Sequence, residues 1–134
     1  MVLVDTSVWS LALRRRAPAH DASDELRRLV VGGRAALIGP IRQELLSGLR
    51  DPSTFARLRD HLRAFPDEPI DRLDYEHAAE CFTICRRAGA QGSNTDFLIV
   101  AVAIRLSMPI FTTDVDFTRY AALLPVKLHT PPPA

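Results

Sequence analysis

The stretch Asn94-Thr-Asp96-Phe-Leu-Ile-Val-Ala-Val-Ala-Ile-Arg105-Leu-Ser-Met-Pro109-Ile-Phe-Thr-Thr-Asp114-Val-Asp116-Phe117 contains most of what decides the fold. A polar opening leads into an almost wholly apolar run, and a helix that is apolar all round belongs in an interior. Pro109 ends that helix, because proline removes a backbone donor and clashes with the preceding turn. A very short apolar run, Pro109 to Phe111, follows and exits into Asp114 and Asp116. Read as a strand, it delivers two carboxylates at its C-terminal end, where parallel α/β sheets bind their ligands.

Working outward, two more short apolar runs have the same form. Val2-Leu3-Val4 does not alternate, which marks a strand covered on both faces, and it ends in Asp5-Thr6-Ser7. Ser7 is predicted to cap the helix through Trp9, Leu11 and Leu13. Ala35 to Ile38 is the second run; Gly39-Pro40 then opens a helix carrying Glu44 among Ile41, Leu45 and Leu46. Further helices are expected at Asp21 to Val31, from Asp51-Pro52 to Leu62, from Asp74 to Ala88 and from Asp116 to Leu123. Glu68 to Ile70 and Val126 to Leu128 are weaker strand candidates. Strands alternating with helices specify an α/β domain with a mostly parallel central sheet of about four to five strands and helices on both faces. One domain is expected over 1–129, with 130–134 as a disordered Pro-rich tail.

A chain of 134 residues buries a real core in one domain, and 47% hydrophobic with 25% charged residues is ordinary globular composition. The net charge of +1 selects no class of partner. Of the 17 basic residues Lys127 is the single lysine. Arg14-Arg15-Arg16 reads either as a solvated helix end or as a rim for phosphate. Asp5 interrupts the N-terminal apolar run, and no apolar run approaches the roughly 18 residues of a membrane span, so a cytoplasmic protein with no membrane partner is expected. Cys81 and Cys85 share a helix face as small buried hydrophobes. Trp9 is expected in core or interface packing, with base stacking as the alternative. His20, His61, His77 and His129 fit no ligand spacing and are assigned to the surface or to helices.

Each acid has a plain structural explanation. Asp5, Asp96 and Asp114 are all placed to serve helix N-termini, where negative charge is favoured by about 0.3–1 kcal/mol. Glu44 is not so placed, although Arg42 is available to pair with it. Taken together the acids mean more. In a parallel sheet all strand exits share one edge, so Asp5, Glu44, Asp96 and Asp114 are brought together. Carboxylates so close raise one another's pKa and call for a cation. All-oxygen ligation suits Mg²⁺ or Mn²⁺, and hydrolysis of a phosphodiester is the natural chemistry of such a site.

The series Val-Leu-Val-Asp5-Thr-Ser, Arg42-Gln-Glu44-Leu-Leu, Asn94-Thr-Asp96-Phe-Leu-Ile-Val-Ala-Val-Ala and Phe111-Thr-Thr-Asp114-Val-Asp116-Phe resembles the PIN-domain nucleases, and most of all their VapC-type toxins. The resemblance runs from Val2 to Phe117. It implies a Rossmann-like, three-layer PIN fold and a Mg²⁺- or Mn²⁺-dependent endoribonuclease using one or two ions. It implies metal-binding acids at Asp5, Glu44, Asp96 and Asp114, with Asp116 as an accessory acid. Thr6 or Ser7 and Asn94 match positions that hydrogen-bond within such sites. It further implies a homodimer, a cognate VapB-type antitoxin, and structured RNA such as transfer or ribosomal RNA as substrate. Two other readings compete. A haloacid-dehalogenase-like phosphohydrolase needs a second Asp where this chain has Ser7. A phosphoacceptor receiver module needs a Lys after its last strand, and Lys127 lies inside a candidate strand.

Overall fold

The chain is described here by a computed structural model that covers residues 1–13 and 21–132. Arg14-Arg15-Arg16, Pro18, His20 and the last two residues of the Pro-rich tail lie outside the described residues. The elements run β1 (Val2–Val4), α1 (Thr6–Leu13), α2 (Asp21–Val31), β2 (Ala35–Ala36), α3 (Gly39–Leu46), α4 (Pro52–Leu62), α5 (Arg72–Arg87), α6 (Asn94–Leu106), β3 (Ile110–Phe111) and α7 (Asp116–Leu123).

The sheet is parallel throughout, in the order β2-β1-β3. Val2 pairs with Ala35 and Leu3 with Ala36 on one side, while Leu3 pairs with Ile110 and Val4 with Phe111 on the other. Two parallel bridges, Leu37 to Asp67 and Ile110 to Leu128, extend the sheet by one contact at each edge. The candidate Val126 to Leu128 reaches the sheet through Leu128, whereas at the other edge the bridge falls on Asp67, one residue before the Glu68 to Ile70 candidate, with the Glu68 amide donating to the Leu37 carbonyl. Flanking prolines withhold amide donors and keep each to a single bridge: Pro66 and Pro69 at one edge, Pro125 at the other. The chain crosses from β1 to β2 and later returns to the far side of β1 as β3. That reversal makes a topological switch point between β1 and β3, where a crevice opens at the strand exits.

Helix α6 fills the interior as its composition requires. Every residue from Phe97 to Ala103 is buried. Its cap differs from the sequence expectation: Ser93 is the N-cap, Asn94 the first residue and Asp96 the third. Ser107 ends the helix in the left-handed region at φ 53°, and Pro109 prevents continuation. Helix α5 likewise begins at Arg72, not Asp74, because Asp71 caps it in a reciprocal box with Asp74. Ser7 is not a cap; it lies one residue inside α1, and its hydroxyl turns back to Asp5.

Other side chains settle where packing decides. Trp9 is 2% exposed and donates from its indole to the Val4 carbonyl at 3.1 Å, which excludes base stacking. Cys81 and Cys85 are both buried and free. His129 departs from its surface assignment: its Nε2 lies 2.9 Å from Oε2 of buried Glu25, and its ring packs edge-on against Phe111. Its amide also donates to Ile110, which fastens the Leu128 edge.

A polar clamp joins α5 to α6. Arg105 Nε donates to Asp74 Oδ1 at 2.7 Å, and its Nη2 donates to the Pro69 carbonyl at 2.7 Å. Burial alone raises the Asp74 pKa, but the hydrogen bond and charge of Arg105 and the Asp71 amide outweigh it and hold this carboxyl below its ordinary value. A lowered folded-state pKa contributes stability above the carboxylate range that disappears as pH falls through it. Asp74→Ala is expected to cost about 2 kcal/mol in urea unfolding at neutral pH. The gap from wild type should close below about pH 4; equal midpoints at pH 7 would dismiss the clamp.

Candidate functional site

The switch-point crevice is lined by acids from four elements. Asp5 ends β1 and is 6% exposed. Its amide donates to the Phe111 carbonyl at 2.9 Å, and its own carbonyl accepts from Val8 and Trp9, so the residue closes the strand and starts α1. A buried carboxylate needs hydrogen-bond donors. Asp5 takes two on one oxygen: Ser7 Oγ at 2.9 Å and Thr112 Oγ1 at 2.8 Å both donate to Oδ2. Each hydroxyl has a single proton, so their mutual 3.2 Å approach is a consequence of convergence and not a third bond. The same hydroxyls accept from the β3 exit, Ser7 Oγ from the Thr113 amide at 3.0 Å and Thr112 Oγ1 from the Asp114 amide at 3.0 Å.

Asp114 continues the chain of contacts, accepting the Asp116 amide on Oδ1 at 2.9 Å. Asp116 is thereby held through its backbone as the first residue of α7. Asp96, in the first turn of α6, has a double engagement. It completes a capping box with Ser93, and its Oδ2 lies 3.2 Å from the Tyr120 hydroxyl. Asp5, Asp96 and Asp114 thus each tie one oxygen into the fold and leave the other without a hydrogen bond among the described residues.

Glu44 approaches from α3. Arg42 is not its partner: that guanidinium pairs with Asp67 at 2.9 Å and donates to the Leu62 and Phe65 carbonyls. No cation pairs with Glu44 among the described residues. Partial burial raises its pKa most, and the charges of Asp5 and Asp96 add to the rise. Burial also raises Asp96; the charge of Asp5 acts in the same direction, against hydrogen bonds from Ser93 and Tyr120. The charge of Asp5 therefore acts on both Glu44 and Asp96. Asp114 joins Asp5 through Thr112. Asp116 and Asp114 both act on the Tyr120 hydroxyl, after burial and Asp96, to raise its pKa.

Glu44 borders a cleft of about 420 Å³ with Thr6, Gln43, Ser47 and Thr95. Thr6 Oγ1 is buried there with no hydrogen-bond partner. Asn94 is exposed and makes no side-chain hydrogen bond to the acids. Lys127 is exposed at the sheet edge, away from this network. A larger groove of about 680 Å³, lined by Leu13, Leu45, Leu49 and Leu58, is mainly apolar and includes no carboxylate.

The donor set is all oxygen, which fits a hard divalent cation. Among the described residues, no three acidic, His or Cys side chains stand close enough to form a closed cage. The arrangement instead suits an ion that keeps several waters and takes one or two carboxylates, as Mg²⁺ does. The Thr6 hydroxyl oxygen, without a partner among the described residues, is closed off from the cleft.

Thr112 and Tyr120 are the participants that sequence reasoning misses. Thr112 stands two residues before Asp114 and was legible as a polar residue at a strand exit. Tyr120 carries no local signal; only the packing of α7 brings it to Asp96.

Comparison with known proteins shows the family of the chain. A family model described as the PIN domain matches residues 2–123. Ribonuclease VapC11 of Mycobacterium tuberculosis is 37% identical over 121 residues, covering 87% of this chain and 89% of the relative. A VapC ribonuclease of Mycobacterium bovis matches with the same identity and coverage. Among solved structures, FitAcB from Neisseria gonorrhoeae superposes with a TM-score of 0.77 at 22% identity, covering 97% of each chain. VapBC2 from Rickettsia felis, bound to a DNA fragment from its promoter, gives a TM-score of 0.76 at 16% identity over 96% of each chain. At these identities the structural likeness concerns the fold.

Glu44 offers a clean test of charge crowding, because it makes no hydrogen bond that a substitution would break. A raised folded-state pKa means that stability present below the carboxylate range is lost as pH rises through it. In EDTA, Glu44→Gln should melt higher than wild type at pH 7 and lose less stability between about pH 4 and pH 7. A lower melting temperature for the variant at pH 7 would remove repulsion as the explanation.

Proposed function

This chain belongs to the PIN-domain family, and from that premise we propose that it is a divalent-metal-dependent endoribonuclease, the toxin of a toxin–antitoxin pair. The observation that carries the reading is the convergence at the switch point of Asp5, held by Ser7 and Thr112, with Asp96 and Glu44, both of which burial and then the charge of Asp5 raise. The 37% identity to VapC ribonucleases over most of the chain supports the substrate class.

Asp5, Glu44, Asp96 and Asp114 are the residues we assign to holding Mg²⁺ or Mn²⁺, as one or two ions. When bound, the ion supplies positive charge for the phosphate oxygens and lowers the pKa of a water that attacks phosphorus. The chain's part is orientation. Ser7 and Thr112 hold Asp5 Oδ2, so that the carboxylate plane is fixed and Oδ1 is offered to the crevice. The Asp116 amide does the same for Asp114 through Oδ1, and the capping box does so for Asp96. Glu44, untied, supplies its carboxylate from the open side, where an RNA phosphate enters. Asp116 serves as an accessory acid beside Tyr120. Thr6 lines the cleft with its hydroxyl turned into the fold.

Structured RNA such as transfer or ribosomal RNA is the proposed substrate, and a VapB-type antitoxin the proposed inhibitor. The solved relatives named above as FitAcB and VapBC2 support a two-component assembly. A homodimer and a cytoplasmic setting complete the reading. No helix among the described residues is long and apolar enough to cross a membrane.

Purified protein incubated with labelled RNA should cut it with Mn²⁺ or Mg²⁺ and not with EDTA. Asp5→Asn and Asp96→Asn should each reduce the rate by about 100-fold or more, the scale on which loss of a group stabilising transition-state charge is felt. Cutting that persists at the wild-type rate under chelation and in both variants would overturn the assignment.

A further inference from the structure

We infer that Tyr120 is a positioning residue for Asp96, and that residue 92 is glycine so that the Tyr120 hydroxyl can reach that carboxylate. The inference rests on the metal-site reading above. Tyr120 is fully buried in α7, wedged between Phe97 at 4.8 Å and Phe117 at 5.1 Å between ring centroids. Phe97 is the residue next to Asp96, so the ring is registered against the turn that carries the acid. The hydroxyl has one proton and two acceptors in reach, the Gln91 carbonyl at 2.9 Å and Asp96 Oδ2 at 3.2 Å.

A buried phenol needs only one acceptor, and the Gln91 carbonyl would satisfy it. Asp96 is therefore the contact that packing leaves unexplained. A carboxylate oxygen only accepts, so the 3.2 Å contact has the Tyr120 hydroxyl as donor and Asp96 Oδ2 as acceptor. With Ser93 N 3.4 Å away on the same oxygen, Tyr120 fixes Oδ2 and leaves Oδ1 without a hydrogen bond among the described residues. Partners that orient a ligand in this way are worth about 10–100-fold in metal affinity.

Gly92 supplies the independent constraint. A Cβ there would stand 2.1 Å from the Tyr120 hydroxyl oxygen, 2.8 Å from its Cζ and 3.0 Å from Phe97 Cε2. The loop backbone thus presses directly on the hydroxyl, and any side chain would drive it off its acceptors. Nothing in the backbone conformation asks for glycine at this position; the requirement is space.

The test is Mn²⁺ titration by calorimetry of wild type, Tyr120→Phe and Gly92→Ala, with melting temperature measured in EDTA and RNA cleavage followed against Mn²⁺ concentration. Tyr120→Phe keeps the ring and should remain folded. Its Mn²⁺ affinity should fall about 10-fold or more. Cleavage should shift to higher Mn²⁺ and recover towards the wild-type rate at saturation, a split that general loosening of the fold would not give. Gly92→Ala, which keeps the phenol but displaces it, should show the same loss of affinity. A wild-type isotherm in either folded variant would overturn the inference and assign the hydroxyl to the Gln91 carbonyl alone. If wild type itself binds no Mn²⁺, the proposed function fails, and this inference with it.

Discussion

The acidic end of the molecule depends on one junction, the two hydroxyls that meet Asp5 Oδ2. Ser7 comes from the residues just after β1 and Thr112 from those just after β3. Each also accepts an amide from the β3 exit. The junction therefore does two things with the same atoms. It satisfies a carboxylate that is almost wholly removed from water, and it locks the exits of two adjacent strands in register. A sheet of three very short strands has few ladder hydrogen bonds to fix that register. Side-chain bonds between strand exits supply what the ladder lacks. The parallel order β2-β1-β3 then makes the locked pair the switch point itself.

Capping and charge crowding are not alternatives in this fold. Asp96 is a true member of a capping box and at the same time has a raised pKa from burial and Asp5. Asp114 accepts an amide at the start of α7 and also faces the phenol that Asp96 engages. A helix N-terminus offers an aspartate both a donor and a favourable dipole. Those interactions offset part of the cost of placing like charges together. Glu44 has no such support among the described residues, and burial and then the charges of Asp5 and Asp96 raise its pKa with no hydrogen bond to oppose them. An acid that caps a helix uses one oxygen, so capping is compatible with ligation by the other.

Much of this was legible in the residues. The apolar run from Phe97 to Ala103 has no amphipathic period because it has no solvent face, and the short unalternating strands told the same story for the sheet. The four acids follow from the rule that parallel strands end at one edge. What was not legible depends on tertiary distance. Tyr120 reaches Asp96 only because α7 folds back over the loop at Gly92. His129 reaches Glu25 only because the segment after Pro125 runs beside β3. The start of α5 was misplaced by two residues because Asp71 and Asp74 are equally good caps by type, and the structure uses both in one box. Arg42 was an available partner for Glu44 by sequence distance, yet the carbonyls at Leu62 and Phe65 and the carboxylate of Asp67 claim it.

The fastening of His129 to Glu25 and Phe111 has a bearing on how the fold closes. The sheet's central strand β1 meets β3, Thr112 and the segment that closes the outer edge of β3 only across most of the described chain. Thr112 and Asp5 are separated by 107 positions in the chain. Contacts of such long sequence separation form late, since loop closure must precede them. Until β3 docks beside β1, the Asp5 carboxylate lacks the Thr112 donor and Ser7 lacks the Thr113 amide. The crevice is therefore completed by the same long-range docking that completes the sheet, so its acids are held together only in the closed fold.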